Sequence, residues 1–228
     1  MSAAPGARQL ALELPHRVAF GMEDFLVADC NREAVGWIDR WPDWPAPLLI
    51  LSGPEGCGKT HLAHVWQAKS RAAFLDVAEL AVADPGAYPD AFALVIENVA
   101  AGLGEQAEHK LFHLYNVAKD AGGWLLVTSR EPPAAWNIAL PDLASRIAGA
   151  PHAAIGPPDD AVLTALIVKL FADRQLKPSP EVVSYLVSRI ERSFAALRRV
   201  VAALDKAALA AGRRVTVPLA RRVLEEMN

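Results

Sequence analysis

Long apolar runs are lacking in this chain of 228 residues, and their absence excludes one class of protein. No stretch approaches the roughly 20 consecutive apolar residues that a helix needs to cross a bilayer. The opening MSAAPGARQLALELP also lacks the basic start and the continuous apolar centre of a secretory signal. We therefore expect a cytoplasmic protein that does not span a membrane.

Cysteine is scarce as well. Cys30 and Cys57 are the only two, and their spacing matches no metal-binding motif. A disulfide is not expected in a cytoplasmic chain, so we predict two reduced thiols, with Cys57 serving as a small residue in a tight loop.

Histidine motifs for metal binding are also missing. Two pairs have helical spacing, His61 with His64 and His109 with His113, but neither lies in an H-E-x-x-H pattern and no cysteine accompanies them. We predict that these four are surface histidines on helices.

Excess positive charge is absent. The chain has 23 Lys and Arg against 26 Asp and Glu, a formal net charge of −3, and no dense basic run. Proteins that bind DNA on their own usually carry a basic patch or a basic balance. The composition therefore predicts no strong direct binding to DNA.

What the first part of the chain does contain is a regular alternation of short apolar runs and helical patterns. The apolar runs lie at 47–52, 72–77, 92–98 and 124–129. This alternation predicts an α/β fold with a parallel sheet covered by helices on both faces. The proline-rich segment 40–47 precedes the first run, and we interpret it as a hydrophobic plug.

The pattern changes after Pro157, where only helical periodicities follow. Prolines mark helix starts and Gly212 marks a stop, which predicts a small all-helical subdomain. The predicted helical segments are 157–175, 180–190, 193–212 and 218–227.

The most specific local motif is GPEGCGKT, residues 53–60. It satisfies G-x-x-x-x-G-K-[ST] and lies between a predicted strand and a predicted helix, the context that a phosphate-binding loop (P-loop) requires. Its backbone N–H groups would converge on phosphate oxygens, Lys59 would reach the outer phosphates, and the Thr60 hydroxyl would bind Mg²⁺. The residues predicted to hold ADP or ATP here are Gly53, Pro54, Glu55, Gly56, Cys57, Gly58, Lys59, Thr60 and His61.

Longer stretches resemble the AAA+ domain of DnaA-type replication initiators and, among them, the Hda family of DnaA-related regulators. In order along the chain they are AFGMEDFLVADCNREAV, the P-loop, LVIEN, LYNVAKDAGGWLLVTSREPP, LPDLASRIAGA and RRVTVPLARRVLEEM. The resemblance implies a tail at 1–20, a AAA+ α/β base domain at 21–156 and a helical lid at 157–228.

The stretch LVIEN carries two residues of interest. Glu97 stands at a strand end, where P-loop enzymes hold Mg²⁺ through its water shell. A solvent-facing acid is the alternative. Asn98 takes the place of the carboxylate that polarises the attacking water in AAA+ ATPases, and an amide cannot accept that proton. We expect hydrolysis by the chain itself to be weakened by about 10²- to 10⁴-fold.

The resemblance also implies a nucleotide pocket. The family's N-terminal segment lines the adenine site, and the matching residues here are Phe25, Leu26 and Val27. The strand end VTS resembles the family's first nucleotide-sensing element, which assigns that role to Thr128 or Ser129.

Two sensing positions depart from the initiators. Their second sensing arginine, in the lid, aligns with Ala195, and Arg192, about one helical turn earlier, is the candidate to replace it. A solvated surface charge is the alternative for Arg192. The initiators' acid after the first sensor is Arg130 here. Both departures weaken the expectation of ATP selectivity and self-turnover.

The arginine of LPDLASR matches Arg146, and in this family it is an arginine finger that reaches a neighbour's nucleotide. A guanidinium supplied in trans offsets charge on the transferring phosphoryl group and is worth about 10³- to 10⁵-fold in rate. Without the resemblance, Arg146 could equally be an arginine at a helix end that pairs with Asp142.

The tail contains Gln9-Leu10-Ala11-Leu12-Glu13-Leu14. It resembles the Gln-Leu-x-Leu peptide by which Hda proteins bind the DNA polymerase III sliding clamp, where Gln9, Leu10, Leu12 and Leu14 would make the contacts. By itself the segment is equally typical of the first turn of an amphipathic helix.

The resemblance implies an adaptor that docks on the DNA-loaded clamp and stimulates hydrolysis of ATP held by the AAA+ domain of DnaA, so that it restrains replication initiation. The sequence given ends after the lid, and we expect it to lack the initiators' helix-turn-helix domain. The sequence does not decide whether the protein forms a homodimer. The alternatives are a self-standing AAA+ ATPase that remodels DNA-bound complexes and a small-molecule P-loop kinase.

Overall fold

The computed structural model of the chain describes residues 26–80, 82, 92–101, 103–211 and 214–227. Several residues singled out above lie outside the described residues, and their assignments stay predictions. They are Gln9, Leu10, Leu12, Leu14, Phe25 and Gly212.

The first part of the chain forms one five-stranded parallel sheet with the order β2-β3-β4-β1-β5. Four strands fall on the predicted apolar runs, but β5 was not predicted because three residues rich in alanine give no strand pattern. The strands are β1 Leu48–Ser52, β2 Ala73–Asp76, β3 Ala93–Glu97, β4 Trp124–Ser129 and β5 His152–Ala154.

The sheet register determines where the P-loop lies. In β1 and β4, Ser52 pairs with Ser129, and in β3 and β4, Ile96 pairs with Val127. Because parallel strands end at the same edge of a sheet, the P-loop after β1, the acid after Ile96 and the end of β4 meet at that edge.

Helices cover both faces of the sheet. Alternate side chains of the central strands point to opposite faces, so that Ile50, Ile96 and Val127 belong to one core cluster and Leu51 and Leu126 to the other. The expectation of an α/β fold with two helical layers is therefore confirmed. The helices are α1 Arg32–Arg40, α2 Lys59–Ser70, α3 Val77–Leu80, α4 Glu105–Ala121 and α5 Pro141–Gly149.

The second part of the chain is helical and has a core of its own, in which Phe171, Leu197 and Leu204 are buried. This confirms the helical subdomain, which we call the lid. Among the described residues, no helix combines the length and the apolar character needed to cross a membrane. The lid helices are α6 Asp160–Ala172, α7 Pro180–Val187, α8 Phe194–Ala211 and α9 Val217–Met227.

The proline-rich segment before β1 is a hydrophobic plug, as predicted. The ring of Trp44 stacks on that of Trp66 at 5.4 Å, and Trp41 meets Trp66 edge-on at 6.2 Å. The Trp44 indole N–H donates to the Trp37 carbonyl at 2.7 Å. The plug thus holds α1 and α2 against the same face of the sheet.

Trp66→Ala is expected to lower the free energy of unfolding by about 3–5 kcal/mol, because it removes a fully buried side chain and leaves a cavity under the plug. Denaturant unfolding would measure the change. The control is Val168→Ala on the lid surface, which should change stability by less than about 0.5 kcal/mol. A loss under 1 kcal/mol for Trp66→Ala would contradict the packing described.

Candidate functional site

The P-loop leaves no room for side chains at two of its glycines. A Cβ on Gly53 would lie 2.3 Å from the Ile155 carbonyl oxygen, and one on Gly56, whose φ is +72°, would lie 2.7 Å from the Ala195 Cβ. The first contact fixes the loop to the sheet, and the second brings the lid against the loop. Glycine is required at both positions.

Lys59 is folded into the loop and is only 7% exposed. Its ammonium donates to the Gly53 carbonyl at 2.7 Å and to the Pro54 carbonyl at 3.0 Å. A phosphate oxygen is a stronger acceptor than a neutral carbonyl because it is charged. The ammonium is thus positioned where a bound phosphate would compete for it.

The Cys57 thiol is buried beneath the loop. Burial raises the pKa of this thiol above its ordinary value, although the neighbouring Lys59 ammonium opposes the shift. The thiol is therefore protonated at neutral pH, and only the thiolate is strongly nucleophilic. Cys57 acts as a small core residue, as the sequence predicts.

Thr60 and Glu97 meet although 37 residues separate them. The Thr60 hydroxyl donates to a Glu97 carboxylate oxygen at 2.6 Å. Oxygen donors of this kind suit Mg²⁺. Within the described ranges no cluster of three or more His, Cys, Asp or Glu could hold a metal. A Mg²⁺ ion at this pair would need phosphate oxygens from a nucleotide.

Asn98 follows β3 in a left-handed conformation with φ +54°, which asparagine tolerates better than most residues. Its backbone N–H donates to the Thr128 hydroxyl at 3.2 Å, and Thr128 is buried. The Ser129 hydroxyl instead accepts from the Glu131 N–H at 3.1 Å. Thr128 is thus the hydroxyl that links the ends of β3 and β4.

A cavity of about 350 Å³ lies between the P-loop and the lid. At one end it has loop glycines and the Lys59 ammonium, and elsewhere it has mainly apolar side chains. Among the described residues no acidic side chain lines it, so the cavity suits a ligand with a phosphate group and an apolar part. The lining residues are Gly56, Gly58, Lys59, Thr60 and His61 from the base, with Leu26, Leu166, Phe194, Ala195 and Arg198.

Residues 159–224 match the family model described as "Hda, lid domain". The fold is similar to domain III of the replication initiation protein DnaA of Thermotoga maritima, at 19% identity and a TM-score of 0.78, covering 93% of this chain and 98% of that one. AMPPCP-bound DnaA from Aquifex aeolicus has 18% sequence identity and a TM-score of 0.73, and the match covers 91% of this chain and 70% of that one. The chain therefore has the AAA+ fold seen in these DnaA structures, and its residues 159–224 resemble the Hda lid.

The same fold occurs more widely. A Thermotoga maritima RuvB, a Holliday junction branch migration motor, gives 13% identity and a TM-score of 0.70, covering 91% of this chain and 72% of that one. Likeness at this identity shows the AAA+ fold alone. The match of residues 159–224 to the Hda lid is the finding that goes beyond this shared fold.

Arg192 does not line the cavity, so the structure favours the alternative of a surface charge over a sensing role. Arg192 precedes α8, so the helical spacing assumed between Arg192 and Ala195 does not apply. Its guanidinium pairs with Asp160 at 2.8 Å. The lid instead brings Arg198 to the cavity, four residues after Phe194 and therefore on the same helix face. Only the true start of α8 could have identified Arg198.

Two other assignments are changed by burial. Val27 is 49% exposed and does not line the cavity, whereas its neighbour Leu26 does. His61 was predicted to lie on the surface, but it is 5% exposed because α2 turns it toward the cavity. His109 and His113 are exposed on α4, as expected.

Arg130 occupies the position of the initiators' acid and pairs with Glu55 of the P-loop at 2.9 Å. Both side chains are exposed, so the pair contributes at most about 1 kcal/mol. Arg130 is held at the rim of the loop and does not line the cavity.

Arg146 lies on the exposed side of α5. Its guanidinium stands 5.6 Å from the centre of the Tyr115 ring. Among the described residues it forms no ion pair with Asp142, which lies one helical turn earlier. It is absent from the lining of the chain's own cavity. The residue is therefore a cation held at the surface, away from the P-loop.

Replacing Arg198 and Arg192 separately would test the lid assignment. We expect Arg198→Ala to weaken ADP binding by about 10- to 100-fold, because one charged hydrogen bond to phosphate is worth about 1.5–3 kcal/mol. Lys59→Ala should weaken it at least as much. Titration calorimetry or a fluorescent ADP analogue would measure the affinities.

The matched control is Arg192→Ala, which removes an exposed lid arginine that faces Asp160 and should leave ADP affinity unchanged. If Arg192→Ala instead bound ADP more weakly than Arg198→Ala, Arg192 would regain the sensing role considered from the sequence.

Proposed function

We propose that this protein is a nucleotide-binding adaptor that stimulates hydrolysis of ATP held by a DnaA-type AAA+ partner. The observation that carries the proposal is the position of Arg146, exposed on α5 and outside the lining of the chain's own cavity. A guanidinium so placed is accessible to a phosphate brought by another molecule. Such fingers are worth about 10³- to 10⁵-fold in rate.

The chain's own nucleotide would serve a structural role. The P-loop glycines, the Lys59 ammonium and the Thr60–Glu97 pair fit ADP or ATP with Mg²⁺, whose chemistry when bound is to offset phosphate charge. Asn98 provides no carboxylate to accept a proton from water. We infer weak self-hydrolysis and ADP as the most frequent occupant.

The cavity explains how a structural nucleotide would matter to the partner. It lies between the P-loop and α8, so a ligand there would contact base and lid together through Lys59 and Arg198. A ligand that binds only the folded arrangement stabilises it by mass action. ADP would thus fix the position of the lid relative to the base.

The tail would place the adaptor on DNA. In Gln9-Leu10-Ala11-Leu12-Glu13-Leu14 the leucines suit an apolar groove and the glutamine a polar pocket, as in the clamp-binding peptides that it resembles. We propose that the DNA polymerase III sliding clamp is the docking partner. The adaptor would then work in the cytoplasm, at DNA that carries a loaded clamp, and would restrain replication initiation.

A second function has one observation in its favour. The Thr60–Glu97 hydrogen bond keeps a metal-binding pair intact at 2.6 Å, which an enzyme with its own turnover needs. An Asn98 amide can still orient a water molecule. A self-standing ATPase that remodels DNA-bound complexes is therefore the alternative that the test must separate.

The decisive experiment measures ATP hydrolysis by purified DnaA with clamp-loaded DNA, with this protein present or absent. We expect stimulation by the intact chain and a return to within a few-fold of the basal rate for Arg146→Ala, because the trans cation is lost. Arg32→Ala, an exposed arginine on α1, is the matched control and should stimulate fully.

Two results would contradict the adaptor function. One is equal stimulation by the intact chain and by Arg146→Ala. The other is no stimulation at all together with ATP turnover by the isolated protein that Lys59→Ala abolishes, and this result would establish the self-standing ATPase.

A further inference from the structure

The net charge of −3 hides two parts of opposite sign. Residues 157–228 contain 12 Lys and Arg against 8 Asp and Glu, a net charge of +4. Residues 1–156 contain 11 against 18, a net charge of −7. The expectation of no strong DNA binding rested on the average of the two. The lid by itself has the basic balance that attracts polyanions.

Part of the positive charge surrounds a groove of about 410 Å³ between α7, α8 and α9, which we call the lid groove. Its floor is apolar and includes Ile190 and Val200. The groove lies on the lid and shares no lining residue with the nucleotide cavity. Its polar rim consists of Tyr185, Arg189, Glu191, Arg199, Arg221 and Glu225.

The three rim arginines outnumber the two rim glutamates and form no ion pair with them. Among the described residues, no ion pair joins Arg189, Arg199 or Arg221 to Glu191 or Glu225. Other exposed arginines of the chain do form ion pairs: Arg222 pairs with Glu226 on α9, and Arg192 pairs with Asp160 at the start of α6. The rim therefore carries three guanidinium groups and two carboxylates, a net charge of +1, and its guanidinium groups are not held in ion pairs among the described residues.

One of these groups is already oriented. The Arg189 guanidinium stacks over the Tyr185 ring at 4.2 Å and donates to the Ser188 hydroxyl at 2.9 Å. Less side-chain entropy is lost on binding when a guanidinium is held in this way. The planar fork can then pair with two oxygens of one phosphate.

We propose that the lid groove binds the phosphodiester backbone of duplex DNA without reading its sequence. The rim arginines come from three separate elements, the loop after α7, α8 and α9, so they offer a phosphate backbone three separate points of contact. The proposal rests on the proposed function in one respect only: an adaptor docked on a loaded clamp would lie beside duplex DNA. The contact would strengthen that docking.

Three arginines on phosphates predict a measurable salt dependence. The logarithm of the binding constant should fall with the logarithm of salt concentration with a slope of about −2.7, which is −0.9 for each phosphate. The dissociation constant belongs in the range of non-specific binding, about 10⁻⁴ to 10⁻⁶ M at physiological salt.

The test is fluorescence anisotropy of a labelled 20-bp duplex of arbitrary sequence with the full chain, over a range of salt concentrations, with no clamp and no DnaA. Arg199→Ala and Arg221→Ala should each reduce the slope by about 1. Glu225→Gln should tighten binding, because it removes a like charge from the rim. Arg192→Ala is the matched control, since Asp160 already pairs that arginine.

Unchanged ADP affinity in Arg199→Ala and Arg221→Ala would show that these variants remain folded. The proposal is overturned if the duplex does not bind at low salt. It is also overturned if the variant that combines Arg199→Ala and Arg221→Ala shows the same salt dependence of binding as the intact chain. It is also overturned if poly-glutamate binds through these arginines and duplex does not, which would assign the groove to an acidic protein segment. The assay contains no partner protein, so its result is independent of the Arg146 experiment.

Discussion

The parallel pairing of β1, β3 and β4 is the constraint on which the site depends. Because the three strands run in one direction and in register, their carboxyl ends meet at one edge of the sheet. The P-loop, Glu97 and Thr128 converge there from positions far apart in the chain. The hydrogen bond from Thr60 to Glu97 exists only because of this register. A slip of one residue in β3 would turn Glu97 away and break the site.

The contact between Gly56 and Ala195 then connects this edge to the lid. Neither residue has a side chain that could separate the two parts, and the Cβ of a larger residue at Gly56 would collide with Ala195. The cavity beside this contact receives residues from both sides. A ligand bound there would contact the base and the lid together.

The arginines of the chain differ in what their neighbours allow them to do. Arg130 and Arg192 are paired with Glu55 and Asp160, which leaves them little attraction for a distant anion. Arg146 lies over an aromatic ring at the surface, and Arg198 lines the cavity. Identical side chains thus take different roles because burial and nearby carboxylates decide how much of each charge is felt outside.

Local pattern determined a large part of this protein: four strands, the lid helices and the P-loop follow from apolar periodicity, prolines and glycines within short windows. Tertiary structure alone decided the rest. β5 forms because β1 offers it a partner edge, His61 is buried because α2 turns it toward the cavity, and Arg198 lines that cavity instead of Arg192 because α8 begins at Phe194. These outcomes depend on distances between segments remote in sequence, which no local window contains.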